Sequence, residues 1–221
     1  MNKAIIGKKL GMSQIFTADG TVIPVTVVEA GPCPVVQVKT KDRDGYEAVK
    51  VAFGAIKKNN VNKPDAGQFK KAGVEAKRVL KEFKLENAAE YKVGDEIKCT
   101  VFSEGDHVDV VGTSKGHGFS GVIQRWNAQR VGSMSRWGHH ILRMTHGTGP
   151  IHRSVGSMAA NSDPSRVFKN KHMAGQWGAE QVTVQNLTIA RVDEARNLLL
   201  IKGGIPGPRG GYVFVKQSIK G

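Results

Sequence analysis

The chain has 221 residues and a formal net charge of +14, from 33 Lys and Arg against 19 Asp and Glu. A balance this basic attracts polyanions, and the length suits one domain with a large insertion or two small domains. No apolar run approaches the roughly 20 residues that span a bilayer, and the apolar patch at 4–6 is too short for a signal peptide. The sequence therefore predicts nucleic acid, not membrane, as the partner.

The first hundred residues have the pattern of short β-strands joined by turns. Residues 13–16 and 22–28 flank Asp19-Gly20, a strong hairpin signal. A second hairpin is predicted from 35–39 and 46–53 around Asp44-Gly45. Residues 65–87 change to near-helical spacing, which predicts one or two short surface helices. Strands are then expected at 96–102 and 108–111.

The strand pattern returns after residue 179, at 182–192, 197–202 and 212–216. Short strands on both sides of an insertion predict a mainly β fold: one small barrel closed by its N- and C-terminal portions, with no exposed sheet edge. We predict a barrel domain at 1–111 and 180–221, with a helical excursion at about 57–90. Cys33 and Cys99 lie far apart without a metal-type pairing, so we expect buried thiols in a reducing cytoplasm.

The segment 112–179 differs from both flanks. It holds nine Lys and Arg against the single acidic residue Asp163, and six of the seven His. It is too poor in periodic apolar residues to form a compact domain, and a segment of this kind is expected to order only against RNA. We interpret it as an extended arm inserted into folded RNA, with cations that neutralise phosphates, aromatic side chains that stack, and glycines that allow close approach.

The predicted RNA-binding residues are Lys8, Lys9, Lys115, His117, Arg125, Trp126, Arg130, Arg136, Trp137, His139, His140, Arg143, His146, His152, Arg153, Arg166, Lys169, Lys171, His172 and Trp177. The predicted close-approach glycines are Gly112, Gly116, Gly118, Gly121, Gly147, Gly156, Gly175 and Gly178. For the glycine-rich run 112–121, a phosphate cradle and a plain flexible turn remain alternatives, and the spacing is not that of a P-loop. For the lysines at 57–78 and at 3–9, RNA contact and a solvated surface both remain open.

Catalytic and metal sites find little support. The four histidines at 139, 140, 146 and 152 have no Cys or acidic residue beside them and no convincing helical spacing, so no metal is predicted. The main rival class is a nucleotide-modifying enzyme, which would need a cofactor-binding glycine turn after a strand with an acidic residue downstream. No such turn, and no nucleophile or acid–base motif, is found. We expect no enzyme activity, no cofactor and no small-molecule substrate.

One set of spacings is specific. It follows the pattern F-x6-D-x2-G-x-S-x-G-H-G-x2-G-x3-R, formed by Phe102, Asp109, Gly112, Ser114, Gly116, His117, Gly118, Gly121 and Arg125. This pattern resembles the signature of the bacterial family of large-subunit ribosomal protein number three. The opening 6–12, the loop at 145–157, the limb at 166–178 and the hairpin at 191–203 are also similar to that family.

The resemblance implies a translation-protein-type β-barrel and a central arm that reaches through rRNA toward the peptidyl-transferase centre. It also implies an early-binding assembly protein of the cytoplasmic ribosome that contacts 23S-type rRNA and neighbouring ribosomal proteins. Two departures stand out. Residues 126–145 look roughly ten residues longer than in relatives. At the expected arm tip, Ala160, Asn161, Ser162, Asp163 and Pro164 replace part of a Gly-Gln-Asn-Gln-Thr-Pro run, so the glutamine that some relatives methylate is replaced by Ser162.

Overall fold

The structure, a computed structural model, describes residues 2–127 and 155–220. The chain divides into two compact units: residues 1–114 with 181–221, and residues 115–180. The described part is mainly β, as the sequence predicts. The assignment of these units as a barrel domain and an RNA arm remains a prediction.

The first unit contains a closed antiparallel barrel of six strands, in the order β1-β12-β7-β10-β11-β2. The strands are β1 (Ala4–Phe16), β2 (Val22–Ala30), β7 (His107–Thr113), β10 (Gln181–Asp193), β11 (Leu198–Lys202) and β12 (Tyr212–Gln217). The first and last strands pair from Ala4 opposite Lys216 to Lys8 opposite Tyr212. The expected closure by the two ends of the chain is therefore confirmed.

A single apolar core fills the barrel and continues under a second sheet. Ile5, Val28, Val110, Leu199 and Val215 are fully or almost fully buried and belong to one cluster. They come from five different barrel strands, and the inward side chains of a small barrel normally fill its interior in this way. The core thus supplies a rigid support for the loops that leave the strands.

The second sheet has the order β5-β4-β3-β6. Its strands are β3 (Cys33–Lys39), β4 (Ala48–Ala55), β5 (Lys77–Phe83) and β6 (Glu96–Ile97). The hairpin of β3 and β4 is confirmed, and a single helical turn, α1 (Lys41–Asp44), lies in its loop and ends at Gly45 in the left-handed conformation. The helix α2 (Lys63–Ala72) packs Phe69 against Val36 and Ala52.

The predicted helical excursion is only half helical. The near-helical spacing of 65–87 predicts that residues 77–83 continue a helix, but they form strand β5, paired along β4 from Ala55 to Val49. The reason is that this strand has apolar neighbours on both faces: Val79 packs against the main core, whereas Leu80 packs beside Phe69. Covering on both faces removes the period-two alternation by which a strand is recognised.

Two further boundaries differ from the prediction. Strand β1 begins at Ala4, whereas the sequence pattern predicts a start at residue 13. The pattern misses the first part of the strand because an irregular register between Lys9 and Gly11 interrupts its alternation. The expected strand 96–102 consists of the two residues of β6 followed by a 3-10 turn at Cys99–Val101. The remaining short 3-10 turns are Lys58–Asn60 and Ala88–Glu90.

Two general features of the described residues concern helix length and the cysteines. Among these ranges the longest helix, α2, has ten residues, and no helix combines the length and hydrophobicity needed to cross a bilayer. Both cysteines are buried free thiols, as expected. Burial raises the pKa of the Cys33 thiol to about 12, so this thiol stays protonated at neutral pH.

Candidate nucleic-acid interface

The first half of the glycine-containing signature lies in the barrel and has a structural role. Phe102 is buried in the core. The Asp109 carboxylate is buried and accepts the backbone N–H of Asn186 at 2.9 Å, at the irregular register of β10. A Cβ on Gly112 would lie 3.0 Å from Pro206 Cγ and 3.2 Å from Val213 Cγ1. These three positions of the pattern are thus explained by packing and hydrogen bonding within the first unit.

The second half of the signature forms a small hairpin in the second unit. Strands β8 (Phe119–Ser120) and β9 (Gly175–Gln176) pair antiparallel. The His117 N–H donates to the Trp177 carbonyl at 2.9 Å, and the Trp177 N–H donates to the Gly118 carbonyl at 3.0 Å. The His117 N–H is therefore already used within the protein and does not belong to a phosphate cradle in this conformation.

Two glycines of the signature region pack closely on neighbouring backbone or side chains. Gly178 has φ +72°, and a Cβ there would collide with the Lys115 carbonyl oxygen. A Cβ on Gly116 would lie 3.3 Å from Ala179 Cβ. The run 115–118 is held against 177–179 by packing and by two backbone hydrogen bonds, and the choice between a phosphate cradle and a plain turn stays a prediction.

Four of the predicted stacking side chains stack on each other. The His117 and Trp177 rings lie 4.0 Å apart at 21°, and the Trp126 and His172 rings lie 4.1 Å apart at 3°. Each pair joins the beginning of the unit to its end. Whether their outer faces also contact bases remains a prediction.

Arg125 connects the same two limbs. It belongs to the short helix α3 (Val122–Trp126), and its Nη1 donates to the Met173 carbonyl at 3.1 Å. The Trp126 indole N–H donates to the same carbonyl at 2.9 Å, and the Arg125 guanidinium lies 4.9 Å from the Trp126 ring centre. Gly175 leaves the space for the guanidinium, since a Cβ there would lie 2.6 Å from Nη1. This geometry gives Arg125 an anchoring role besides any contact with RNA.

The other described cations of the prediction differ in their environment. Lys115, Arg166 and Lys169 are exposed, so their charges face solvent. Lys171 donates to the Ser157 carbonyl at 2.5 Å. In the barrel unit, the Lys9 ammonium donates to the Ile205 and Gly207 carbonyls at 2.8 and 3.0 Å, whereas Lys8 is half-buried.

The expected arm tip is described from residue 155 onward. Ala160, Asn161, Ser162 and Asp163 are exposed, and Pro164 is half-buried. The Ser165 hydroxyl donates to the Ser162 carbonyl, which closes a local turn. Asn161 and Ser165 both have positive φ, at 111° and 58°. Gly156, with φ +76°, is open to solvent, and so is Gly121, the residue before α3.

Part of the prediction lies outside the described residues. This part comprises Arg130, Arg136, Trp137, His139, His140, Arg143, His146, Gly147, His152 and Arg153. In the described ranges, no group of three or more His, Cys, Asp or Glu is placed to hold a metal ion.

Sequence reasoning missed two exposed aromatic side chains of the second unit. Phe119 and Phe168 are both largely exposed, although a phenylalanine in a packed domain is normally buried. Exposed rings in a basic segment suit stacking on RNA bases. The sequence could have indicated both residues as stacking candidates, since Phe119 follows Gly118 and Phe168 precedes Lys169. The carbonyl of Met173, in contrast, has no signal in sequence, because every residue has one.

The sequence profile described as ribosomal protein L3 matches residues 72–132 and 130–198, which together span more than half of the chain. The two matched segments meet at 130–132, inside the stretch 126–145 that looks longer than in relatives. This family is structural and not enzymatic, and its members act in the ribosome with rRNA and ribosomal proteins as partners. The chain belongs to the ribosomal protein L3 family and is a structural, rRNA-binding constituent of the large ribosomal subunit.

Proposed function

We propose that the chain binds 23S-type rRNA through residues 112–179 and supports an early step of large-subunit assembly in the cytoplasm. In this proposal the segment reaches toward the peptidyl-transferase centre and acts by holding RNA in place, without a chemical step. The barrel serves as the support from which the segment extends. The cations supply most of the affinity, and the glycines and aromatic rings supply local fit.

The observation that carries the proposal is a basic unit without an apolar core. Among the described residues of 115–180, no apolar side chain is buried, and Ser120 is the one buried residue. The sequence of 112–179 carries nine cations and one carboxylate. A segment with so little apolar burial cannot offset the entropy of ordering over its whole length, and a polyanion supplies the missing contacts.

The hairpin at 115–127 and 171–180 refines this proposal. The two stacked ring pairs and the Met173 carbonyl hold the entry and exit of the segment together without RNA. These contacts within the protein therefore offset the entropic cost of ordering these residues. Residues 156–163 are exposed throughout and depend on RNA.

A deletion tests the proposal. Because the Trp126 and His172 rings lie 4.1 Å apart, a short Gly-Ser linker can replace residues 128–170 and keep both stacks. We expect the barrel to keep its circular dichroism and unfolding transition, while affinity for 23S-type rRNA falls on the order of 100-fold or more. Unchanged affinity in a folded deletion variant would refute the role of the segment.

The reach of the segment has its own test. Substitutions at Ala160–Pro164 are expected to change the sensitivity of ribosomes to drugs that bind at the peptidyl-transferase centre, with the barrel still folded. The side chains of Ala160, Asn161, Ser162 and Asp163 are solvent-exposed and that of Pro164 is half-buried, so their replacement costs the barrel little stability. A set of variants that unfold the chain and leave drug sensitivity unchanged would contradict the proposed reach.

The assembly role predicts a defined stoichiometry and timing. The chain should sediment with large subunits in a near one-to-one ratio, and its depletion should stop assembly at an early precursor. A substoichiometric amount, or precursors that lack only late-binding proteins, would count against this role.

A further inference from the structure

The hairpin of β1 and β2 extends beyond the barrel. Strand β12 pairs with β1 only from Ala4 to Lys8, and β11 pairs with β2 only from Val25 to Glu29. From Met12 to Pro24, the two strands pair with each other alone among the described strands. This segment, here called the hairpin tip (residues 12–24), is a two-stranded ribbon with neither face covered by a further sheet.

One face of the hairpin tip is apolar and exposed. Directly paired residues share a face, and the register places Phe16 opposite Val22 and Met12 opposite Thr26. The exposed fractions of Met12, Phe16 and Val22 are 59%, 67% and 49%. On the other face, Ile15 and Ile23 are half-buried, whereas Ser13 is exposed.

This arrangement reverses the usual one. In an antiparallel hairpin whose two faces differ in exposure, the more exposed face is normally polar. Here the paired positions on the face of Met12 and Phe16 carry, between Met12 and Pro24, the exposed side chains of Met12, Gln14, Phe16, Val22 and Pro24, and among these five only Gln14 is polar. A contiguous exposed apolar face of this kind marks a surface that a partner covers.

The charge of the hairpin identifies the class of partner. Residues 10–28 carry one charged side chain, Asp19, in a chain whose net charge is +14. A surface that contacts RNA needs cations to neutralise phosphates, and this segment has none. An apolar face with a carboxylate at its end instead complements an apolar patch that basic side chains surround.

We propose that the hairpin tip docks, through Met12, Phe16 and Val22, on an apolar patch of a basic neighbouring protein of the large subunit. This interaction rests on the membership of the chain in the subunit and on its proposed binding to rRNA. It separates the molecule into an RNA-binding segment and a protein-binding hairpin. Phe16 is the anchor, since it is the aromatic and most exposed of the three side chains, and buried aromatic side chains contribute most to an interface.

Site-specific crosslinking in assembled subunits tests the partner class. The photoreactive residue p-benzoylphenylalanine is placed at Phe16 in the full chain, and crosslinked products from purified large subunits are identified. A ribosomal protein is the expected product. Crosslinks to rRNA, or no crosslink at all, would overturn the proposal. Ser13 is the matched control on the opposite face of the same hairpin. An equal yield of the same product from Ser13 would also overturn the assignment of the face.

A double variant separates this proposal from the proposed function. Phe16→Gln with Val22→Thr changes two exposed side chains, so the barrel should remain folded. We expect its affinity for rRNA alone to stay within about twofold of wild type, and retention of the crosslinked neighbour in subunits to fall at least about tenfold. An equal loss of rRNA affinity would make the face an RNA contact and overturn the proposal. Failure of the wild-type chain to bind rRNA would instead refute the proposed function.

Discussion

Gly178 shows how one residue sets the geometry of the second unit. Its φ of +72° and the closeness of the Lys115 carbonyl leave no place for a Cβ. Gly178→Ala should therefore push 177–179 away from 115–118, at a cost of about 1–3 kcal/mol for the strained backbone. We expect the amide protons of His117 and Trp177 to exchange about ten- to a hundredfold faster with solvent deuterium.

Gly121→Ala is the matched control for this change. Gly121 lies in the same unit, has φ −67° and has no atom within 4 Å of an added Cβ. It should leave the exchange of both amides close to wild type. Equal exchange in the Gly178→Ala and wild-type proteins would mean that the packing of 115–118 on 177–179 does not persist in solution.

Lys9 and Lys8 are neighbours in sequence with different surroundings. The Lys9 ammonium donates to two carbonyls of the 205–207 loop. Lys9→Met should lower the free energy of unfolding by about 1–3 kcal/mol, because two part-buried carbonyl oxygens lose a charged donor. Lys8→Met is expected to change it by about 0.5 kcal/mol or less. Urea denaturation of both variants measures the difference. If Lys9→Met and Lys8→Met had the same free energy of unfolding and lost rRNA affinity equally, Lys9 would act as an RNA contact instead.

At the scale of elements, the irregular pairing of β10 with β7 depends on a side chain. Where the register shifts between Val184 and Leu187, Asn186 has φ +55° and its N–H is satisfied by the buried Asp109 carboxylate. Asp109→Ala should cost about 1–3 kcal/mol, because it leaves this N–H without its acceptor. Asp109→Asn keeps an acceptor oxygen and should cost less. Chemical denaturation that ranks the two variants in the opposite order would contradict this role.

Strand existence was predictable from sequence where one face of a strand is covered and the other is not. The hairpins of β1 with β2 and of β3 with β4, and the last three barrel strands, have clear alternation or strong turn residues, and all are present. Strand β5 was not predictable, because apolar groups cover both of its faces and erase the alternation. The early start of β1 was hidden by the irregular register at Lys9 and Gly11.

For the candidate site, the sequence indicated residue types but not their partners. Charge counting identified the basic segment, and glycine spacing identified the signature. Neither could show that His117 stacks on Trp177, or that Trp126 stacks on His172, because these contacts join positions more than 40 residues apart. Arg125 was predicted as an RNA contact, whereas its hydrogen bond to a backbone carbonyl leaves no trace in composition.

At the scale of the whole molecule, an ion pair joins the residue before β1 to the residue before β7. Lys3 Nζ lies 2.6 Å from the Asp106 carboxylate, which also accepts the Ser103 N–H. The hydrogen bond from Lys3, followed by that from Ser103, lowers the pKa of Asp106. A lowered folded-state pKa stabilises the protein above the unfolded-state value, and this contribution is lost as the pH falls through the folded-state value.

Asp106→Asn tests this linkage. The difference in unfolding free energy between wild type and variant should be largest at neutral pH and shrink from about pH 4 downward. Urea denaturation between pH 7 and pH 3 measures it, and other carboxylates cancel in the difference. A gap that stays constant over this range would show that the Asp106 carboxylate does not contribute through its charge.

The distribution of charge over the molecule gives the most direct test of how it holds RNA. If the segment neutralises about eight phosphates, log affinity for rRNA should fall against log salt with a slope of roughly −6 to −7. Changing the exposed Lys115, Arg166 and Lys169 to Gln should make that slope shallower by about 2 to 3, because three fewer counterions are released.

A control with the same net charge separates the location of the cations from their number. Lys41, Lys92 and Lys98 are exposed in the first unit, and their change to Gln removes the same three charges from the chain. We expect this control to keep the wild-type slope, because counterions are released only where a cation replaces them at a phosphate. Filter-binding titrations from about 50 to 400 mM salt compare the three proteins. Equal slopes for the two triple variants would mean that RNA responds to the field of the whole chain, and that the basic segment has no special part in binding.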